Sequence, residues 1–200
     1  MREFINDGLH TITNYFRNCR IRTYRRFCRN VKQRHLLSNK TPSKALKMIL
    51  SKNFSLDEFI NSNTAKRLCI ENTPNYKQKE SLKRLCDNVL QPLRDILGQI
   101  RISSGFRHKL LNSAINGAYL SQHTKGEAAD CNYYINGDKR NDILFTTIIE
   151  NELPFDQLIN EFDYSWIHIS HKEKNNRKQI LQAVKLDGEV KYIDITSNYY

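Results

Sequence analysis

From Gln78 to Leu97 the apolar residues Leu82, Leu85, Val89, Leu93 and Ile96 recur every three or four positions, which predicts a long helix with one face turned to a core. Gly98 supplies its stop. Pro92 falls inside the pattern and, having no backbone donor, should kink the helix or divide it. A shorter helix is expected at Ser55, where Ser55 and Glu58 stand at capping-box spacing ahead of Phe59 and Ile60. Asn72 to Asn75, with Pro74, reads as a loop. Beyond Gly98 the period shortens. Ile100 to Ser104 predicts a strand that enters a turn at Gly105, and a short helix through Leu110, Leu111 and Ile115 ends at Gly117. Ala128 to Ile135 alternates as a strand, and Asp142 to Asn151 is helical in pattern. Phe155 to Phe162 and Ser165 to Ser170 read as strands joined at Asp163-Tyr164, and Asp187-Gly188 is a hairpin signal between Ile180–Leu186 and Glu189–Ile195. Helices first and a mostly antiparallel sheet after predict an α+β fold with helices packed on the sheet.

The first quarter of the chain is different. Phe4, Ile5, Leu9, Ile12, Tyr15, Phe16, Ile21, Tyr24, Phe27 and Val31 recur among arginines, the pattern of a basic amphipathic helix or two short ones. Up to Lys52 there are thirteen Lys and Arg against two acids, whereas the remainder carries nineteen of each sign. The whole net charge of +11 therefore belongs to this segment. Residues 36 to 48 read as a linker, so the chain divides into a basic helical extension over 1–48 and a folded domain over 49–200. Such an extension suits an anionic membrane surface, a nucleic-acid backbone, or a docking partner.

The five cysteines, Cys19, Cys28, Cys69, Cys86 and Cys131, form no Cys-x-x-Cys pair, which argues against a disulfide framework and a thiolate zinc site. Without a signal-peptide pattern or an apolar run long enough to span a membrane, the expectation is synthesis in the cytoplasm.

Candidate chemistry gathers at Ser121-Gln122-His123-Thr124-Lys125-Gly126-Glu127-Ala128-Ala129-Asp130. Imidazole and carboxylate are both zinc ligands, and a catalytic zinc takes three from the protein while leaving a position for water. His123 and Asp130 are too far apart in sequence for one helix face, so the chain is expected to turn at Gly126 and send Asp130 in from a strand start. His168, within Trp166-Ile167-His168-Ile169-Ser170, offers a third ligand. The same spacing also fits a surface histidine, a strand-end aspartate and a half-buried core histidine.

From Phe54 to the C-terminus the sequence resembles the zinc D-Ala-D-Ala carboxypeptidase family, in particular its short phage and bacterial members with the hedgehog/DD-peptidase fold. The resemblance rests on Ser104-Gly105-Phe106-Arg107, the Ser-x-His-x-x-Gly-x-Ala-x-Asp run from Ser121 to Asp130, Phe155-Asp156-Gln157-Leu158-Ile159, Trp166 to Ser170, and the helix region Leu82 to Arg94, in the family's order. It implies one Zn2+ per chain held by His123, Asp130 and His168, with Arg107 as the basic residue of the substrate pocket. It also implies hydrolysis of peptidoglycan stem peptides at the bacterial cell wall or periplasm, by a carboxypeptidase or a cross-link endopeptidase, in a lysis or entry role if the protein is phage-encoded.

A zinc peptidase needs a base for the water proton. Some family members place a His two residues before the last ligand, where this chain has Trp166, and others a Glu three residues before it, where this chain has Ser165. Glu161 is the candidate instead, at the end of a strand whose short return leads to His168, with Asp156 as alternative base or as an acceptor supporting the site. Arg107 could hold a substrate carboxylate or stabilise an oxyanion, and Ser121 could donate to substrate or cap its loop. His10, His35, His108 and His171 are not expected as ligands, and Glu127 is left to solvent. The missing family base keeps open a rival class, a non-catalytic metal-binding recognition module of the same fold.

Overall fold

The computed structural model describes residues 47–200, so the basic extension expected over residues 1–48 lies outside the described residues apart from its last two positions. The domain opens with a small hairpin of β1 (Ile49–Ser51) and β2 (Phe54–Ser55), followed by helix α1 (Leu56–Ile60). Glu58 closes the start of α1, its Oε1 accepting from the Ser55 backbone N–H and hydroxyl at 2.9 Å each. After α2 (Asn63–Arg67) and a loop comes α3 (Tyr76–Leu85), capped reciprocally by Asn75 and Gln78 and starting two residues before the apolar pattern suggests.

Pro92 does divide the long helix. Between α3 and α4 (Gln91–Leu97) the chain makes a π-turn over Cys86–Leu90, in which the Gln91 N–H reaches back to the Cys86 carbonyl. A proline ring crowds the carbonyl four residues before it, and widening the turn relieves that contact. The stripe survives the widening as far as Leu93: Leu82, Leu85, Val89 and Leu93 are fully buried, and Leu90 joins them. Ile96, expected on the same stripe, is exposed because the π-turn shifts the helical phase after it. Gly98, at φ +84°, ends α4.

The remaining strands are β3 (Ile100–Ser104), β4 (Ala128–Ile135), β5 (Asp138–Lys139), β6 (Gln157–Glu161), β7 (Trp166–Ser170), β8 (Gln179–Leu186) and β9 (Glu189–Asp194). Helices α5 (Lys109–Ala114) and α6 (Asn141–Glu150) interrupt them. The sheet order is β3-β4-β7-β6-β8-β9, with β5 pairing on β4. Every pair is antiparallel except β6 with β8, which run parallel, so the sheet is mixed. The fold is α+β as expected, but the single parallel pair requires the crossover through β7 and the loop after it.

Alternation sorts the two faces of this sheet. Ala129, Cys131, Leu158, Ile167, Ile169 and Ile180 point into one core with the α3, α4 and α6 residues Leu82, Leu93, Phe145 and Ile148. The opposite face carries Asp130, His168, Ile159, Glu161, Leu181 and Ala183. The β6–β7 connection is left-handed at three successive residues, Phe162, Asp163 and Tyr164, with φ of 48°, 54° and 60°. Asn160 Oδ1 receives the Tyr164 N–H at 2.6 Å, and the Glu161 carbonyl receives the Ser165 N–H at 2.8 Å, which offsets the cost of that backbone.

Gly126 is the point at which helix and sheet constrain each other. Its φ is +74°, and a Cβ there would collide with the Gln78 carbonyl oxygen on α3. Gly126→Ala is therefore expected to lower unfolding stability by about 2–4 kcal/mol, from the left-handed backbone and the overlap together, as read from urea denaturation midpoints.

Candidate metal centre

Three elements deliver three side chains to one point. Asp130 and His168 are register partners across β4 and β7, so their side chains rise from the same face side by side. His123 comes from a 3-10 turn (Gln122–Lys125) ended by the left-handed Gly126. The Gln78 amide donates to the Thr124 carbonyl at 2.9 Å, and the Arg107 N–H donates to the His123 carbonyl at 3.2 Å, which pins the turn between α3 and the segment after β3. The expected chain reversal at Gly126 and the strand entry of Asp130 are both present.

The converging atoms are His123 Nε2, His168 Nδ1 and Asp130 Oδ1, with separations of 3.2 Å between the two nitrogens and 3.2 Å and 3.1 Å from each to the oxygen. Ligands about 2.0–2.1 Å from a tetrahedral zinc stand about 3.3 Å apart. The triangle has nearly that edge, so these residues fit the ion, and all three are buried. His123 Nδ1 lies 2.7 Å from the Gly105 carbonyl; as a donor to it, this nitrogen leaves Nε2 with its lone pair toward the triangle. A Cβ on Gly105 would sit 2.7 Å from Phe59 backbone atoms, so the carbonyl that orients His123 depends on a residue without a side chain.

Burial works to raise the Asp130 carboxyl, but the two imidazoles against it hold it far below the usual carboxylate range. Burial, with His123 beside it, pushes His168 below its ordinary value, toward the neutral form a metal needs. Asp130 Oδ2 is taken by Arg107 Nη2 at 2.5 Å, while Arg107 Nε donates to Ser104 Oγ at 2.9 Å. Arg107 is thus paired with a ligand carboxylate, and the residue lines the cleft with N–H groups to spare.

The triangle lies in a cleft of about 930 Å³. Glu161 sits one same-face position along β6 from Ile159, the register partner of His168, which puts it about 7 Å along the strand from that ligand's row. It is only 6 % exposed, and burial raises its carboxyl to about 7 although His168 pulls the other way. Ser121 also lines the cleft, and its side chain makes no cap bond to the 3-10 turn.

Asp156 is differently placed. Fully buried, it accepts from the Arg177 N–H and guanidinium, from Lys172 at 2.9 Å and from Gln122 at 3.1 Å. Burial works to raise its carboxyl, but the bonds from Arg177 and Lys172 hold it well below the usual range. Such an oxygen pair supports the loop that carries His123, through Gln122. His171 is a satisfied buried histidine between the Pro154 carbonyl and Asn88, as befits its position off the ligand face. Glu127, left to solvent by the sequence, in fact lines the cleft, and its Oε2 is buried with no hydrogen-bond partner among the described residues. Gln122, Lys172, Arg177 and Tyr192 are further cleft residues that no local pattern signals. A smaller hollow of about 520 Å³ beside β3 contains none of the three triangle residues.

Because Asp156 is held ionised in the folded protein, the stability it contributes is present above its unfolded pKa and disappears as pH falls through the folded one. Asp156→Asn is expected to cost about 2–3 kcal/mol at neutral pH, the scale of hydrogen bonds to a charged group. The gap from wild type should narrow as pH falls below about 4, in denaturant melts run across pH.

No curated protein matches the chain. A family model described as Peptidase M15 matches residues 52–170, a span that holds all three triangle residues, Arg107 and Glu161. That match covers more than half of the sequence and encloses a buried His-Asp-His set of zinc-compatible dimensions, and on this ground the chain belongs to the M15 family of zinc metallopeptidases.

Proposed function

We propose that the protein is a zinc-dependent peptidase that hydrolyses peptidoglycan stem peptides, as a D-Ala-D-Ala carboxypeptidase or a cross-link endopeptidase. The observation that carries the reading is the meeting of His123, Asp130 and His168 at one edge of a cleft that also holds a carboxylate poised near neutrality. The substrate class follows from the likeness of the Ser121–Asp130 and Trp166–Ser170 motifs to the D-Ala-D-Ala carboxypeptidases.

His123, Asp130 and His168 would hold the ion, which when bound supplies a Lewis acid and a water of lowered pKa. Glu161 is the base in this reading. Its carboxylate takes the proton of the attacking water and returns it to the leaving amine, a two-way transfer for which a pKa near the working pH is best suited. Asp156, saturated by cations and held ionised, has neither the free lone pairs nor the basicity for that task. Arg107 keeps Asp130 oriented through one nitrogen while its other N–H groups face the developing oxyanion or a substrate carboxylate. Ser121, with its hydroxyl not spent on capping, can donate to the same substrate group.

The test is incubation of the zinc-loaded protein with purified peptidoglycan fragments, the products being read by mass spectrometry. Glu161→Gln should lower kcat by about 10²–10⁴-fold with zinc content unchanged. Loss of zinc in that variant, or undiminished turnover, would remove Glu161 from the base role. Wild-type protein that holds zinc and cuts no fragment would instead favour the recognition-module reading.

A further inference from the structure

The matched family segment ends at Ser170, yet one wall of the cleft is built from residues after it. Leu181, Val190 and Tyr192, from β8 and β9, line the hollow. Strand register explains their presence. Trp166 pairs with Glu161, Glu161 with Ala183, and Ala183 with Tyr192, so four residues form one row across β7, β6, β8 and β9. Directly opposed residues share a face, and this is the face that carries Asp130 and His168.

The composition of that row matters. Neighbouring strands are about 4.8 Å apart, so Tyr192 is rooted about 10 Å from Glu161. Between them stands Ala183, a small buried residue that leaves the space above the row open to the Tyr192 phenol, which lines the same cleft. A larger side chain at 183 would stand in the way. Tyr192 remains 53 % exposed, and among the described residues no hydrogen bond engages its hydroxyl. Of the β8 and β9 residues that line the cleft, Leu181 and Val190 are apolar, and Tyr192 alone brings a polar group. An amphipathic side chain with a free donor, two strands along the same row from Glu161, has the form of a contact for peptide backbone.

We propose that Tyr192 is a substrate-binding residue of this site, its hydroxyl donating to a backbone carbonyl of the bound peptide while its ring and Val190 cover the adjoining side chain. The inference rests on the peptidase reading above and adds to it a wall supplied by the β8–β9 hairpin. A contact of this kind is made equally in the ground state and the transition state, so its loss appears in KM and not in kcat.

The experiment uses the full-length, zinc-loaded protein and a purified stem pentapeptide. Tyr192→Phe keeps the ring and removes the donor, at a half-exposed position where folding is not at risk. Relative to wild type it should raise KM about fivefold to tenfold with kcat unchanged, the scale of one neutral hydrogen bond. In the Glu161→Gln background, where the peptide stays intact, Tyr192→Phe should weaken calorimetric affinity by a similar factor. Kinetics and affinity equal to the parent's, or a fall confined to kcat, would overturn the assignment. If the tyrosine-containing wild type neither binds nor cuts any peptidoglycan fragment, the peptidase reading fails and takes this inference with it. If it binds and cuts but Tyr192→Phe changes nothing, Tyr192 alone is removed.

Discussion

The pairing of Asp130 with His168 across β4 and β7 is the constraint on which the rest of the domain depends. A sheet alternates faces at every residue, so a slip of one position would send one of these side chains into the apolar core and bring Ile167 or Ile169 to the cleft. That slip is prevented by the residues on either side. Ala129 and Cys131 on β4 and Ile167 and Ile169 on β7 are fully buried against the helices, and a slip of either strand would move its pair of apolar groups out of that core. Burial on one face of the sheet thus secures the geometry of the metal ligands on the other.

The third ligand is secured by different means. His123 lies in a 3-10 turn rather than a strand, so its position comes from three bonds to two separate parts of the fold. Gln78 at the start of α3 holds Thr124, the segment after β3 holds the His123 carbonyl through Arg107, and the Gly105 carbonyl holds Nδ1. Two glycines make these approaches possible, one against Phe59 and one against Gln78. The irregular register between Ile102 and Ser104 belongs to the same design, since a bulge near a site re-aims the chain that follows, here toward Gly105 and Arg107.

Three buried carboxyls share this region and are treated in opposite ways. Asp130 and Asp156 are surrounded by imidazoles and cations and held ionised, whereas Glu161 is buried without a hydrogen-bonded cation and rises to about 7. Acids of one chemical type thereby acquire separate uses, two as fixed negative charges and one as a group able to exchange a proton near neutrality. The contrast follows from neighbours rather than from burial, because all three are under 9 % exposed.

Much of this was open to reading in the chain itself. The helix stripe, the break at Pro92, the hairpin at Asp187-Gly188 and the reversal at Gly126 depend on short-range sterics and amphipathic period. Those four are properties of neighbours in sequence, so the sequence by itself determined them. The His-Asp-His set was legible only through the resemblance to the carboxypeptidase family, because the spacing alone fitted unrelated residues equally well and His168 stands 38 positions from Asp130. The sequence did not determine which strands lie side by side. The parallel pairing of β6 with β8 joins segments separated by all of β7, and only that pairing brings Ala183 and Tyr192 level with Glu161. The cation collar around Asp156, the elevation of Glu161 and the entry of Glu127 into the cleft are likewise products of contacts between distant segments. Desolvation and charge pairing depend on what the completed fold places around a group, and no local pattern carries that information.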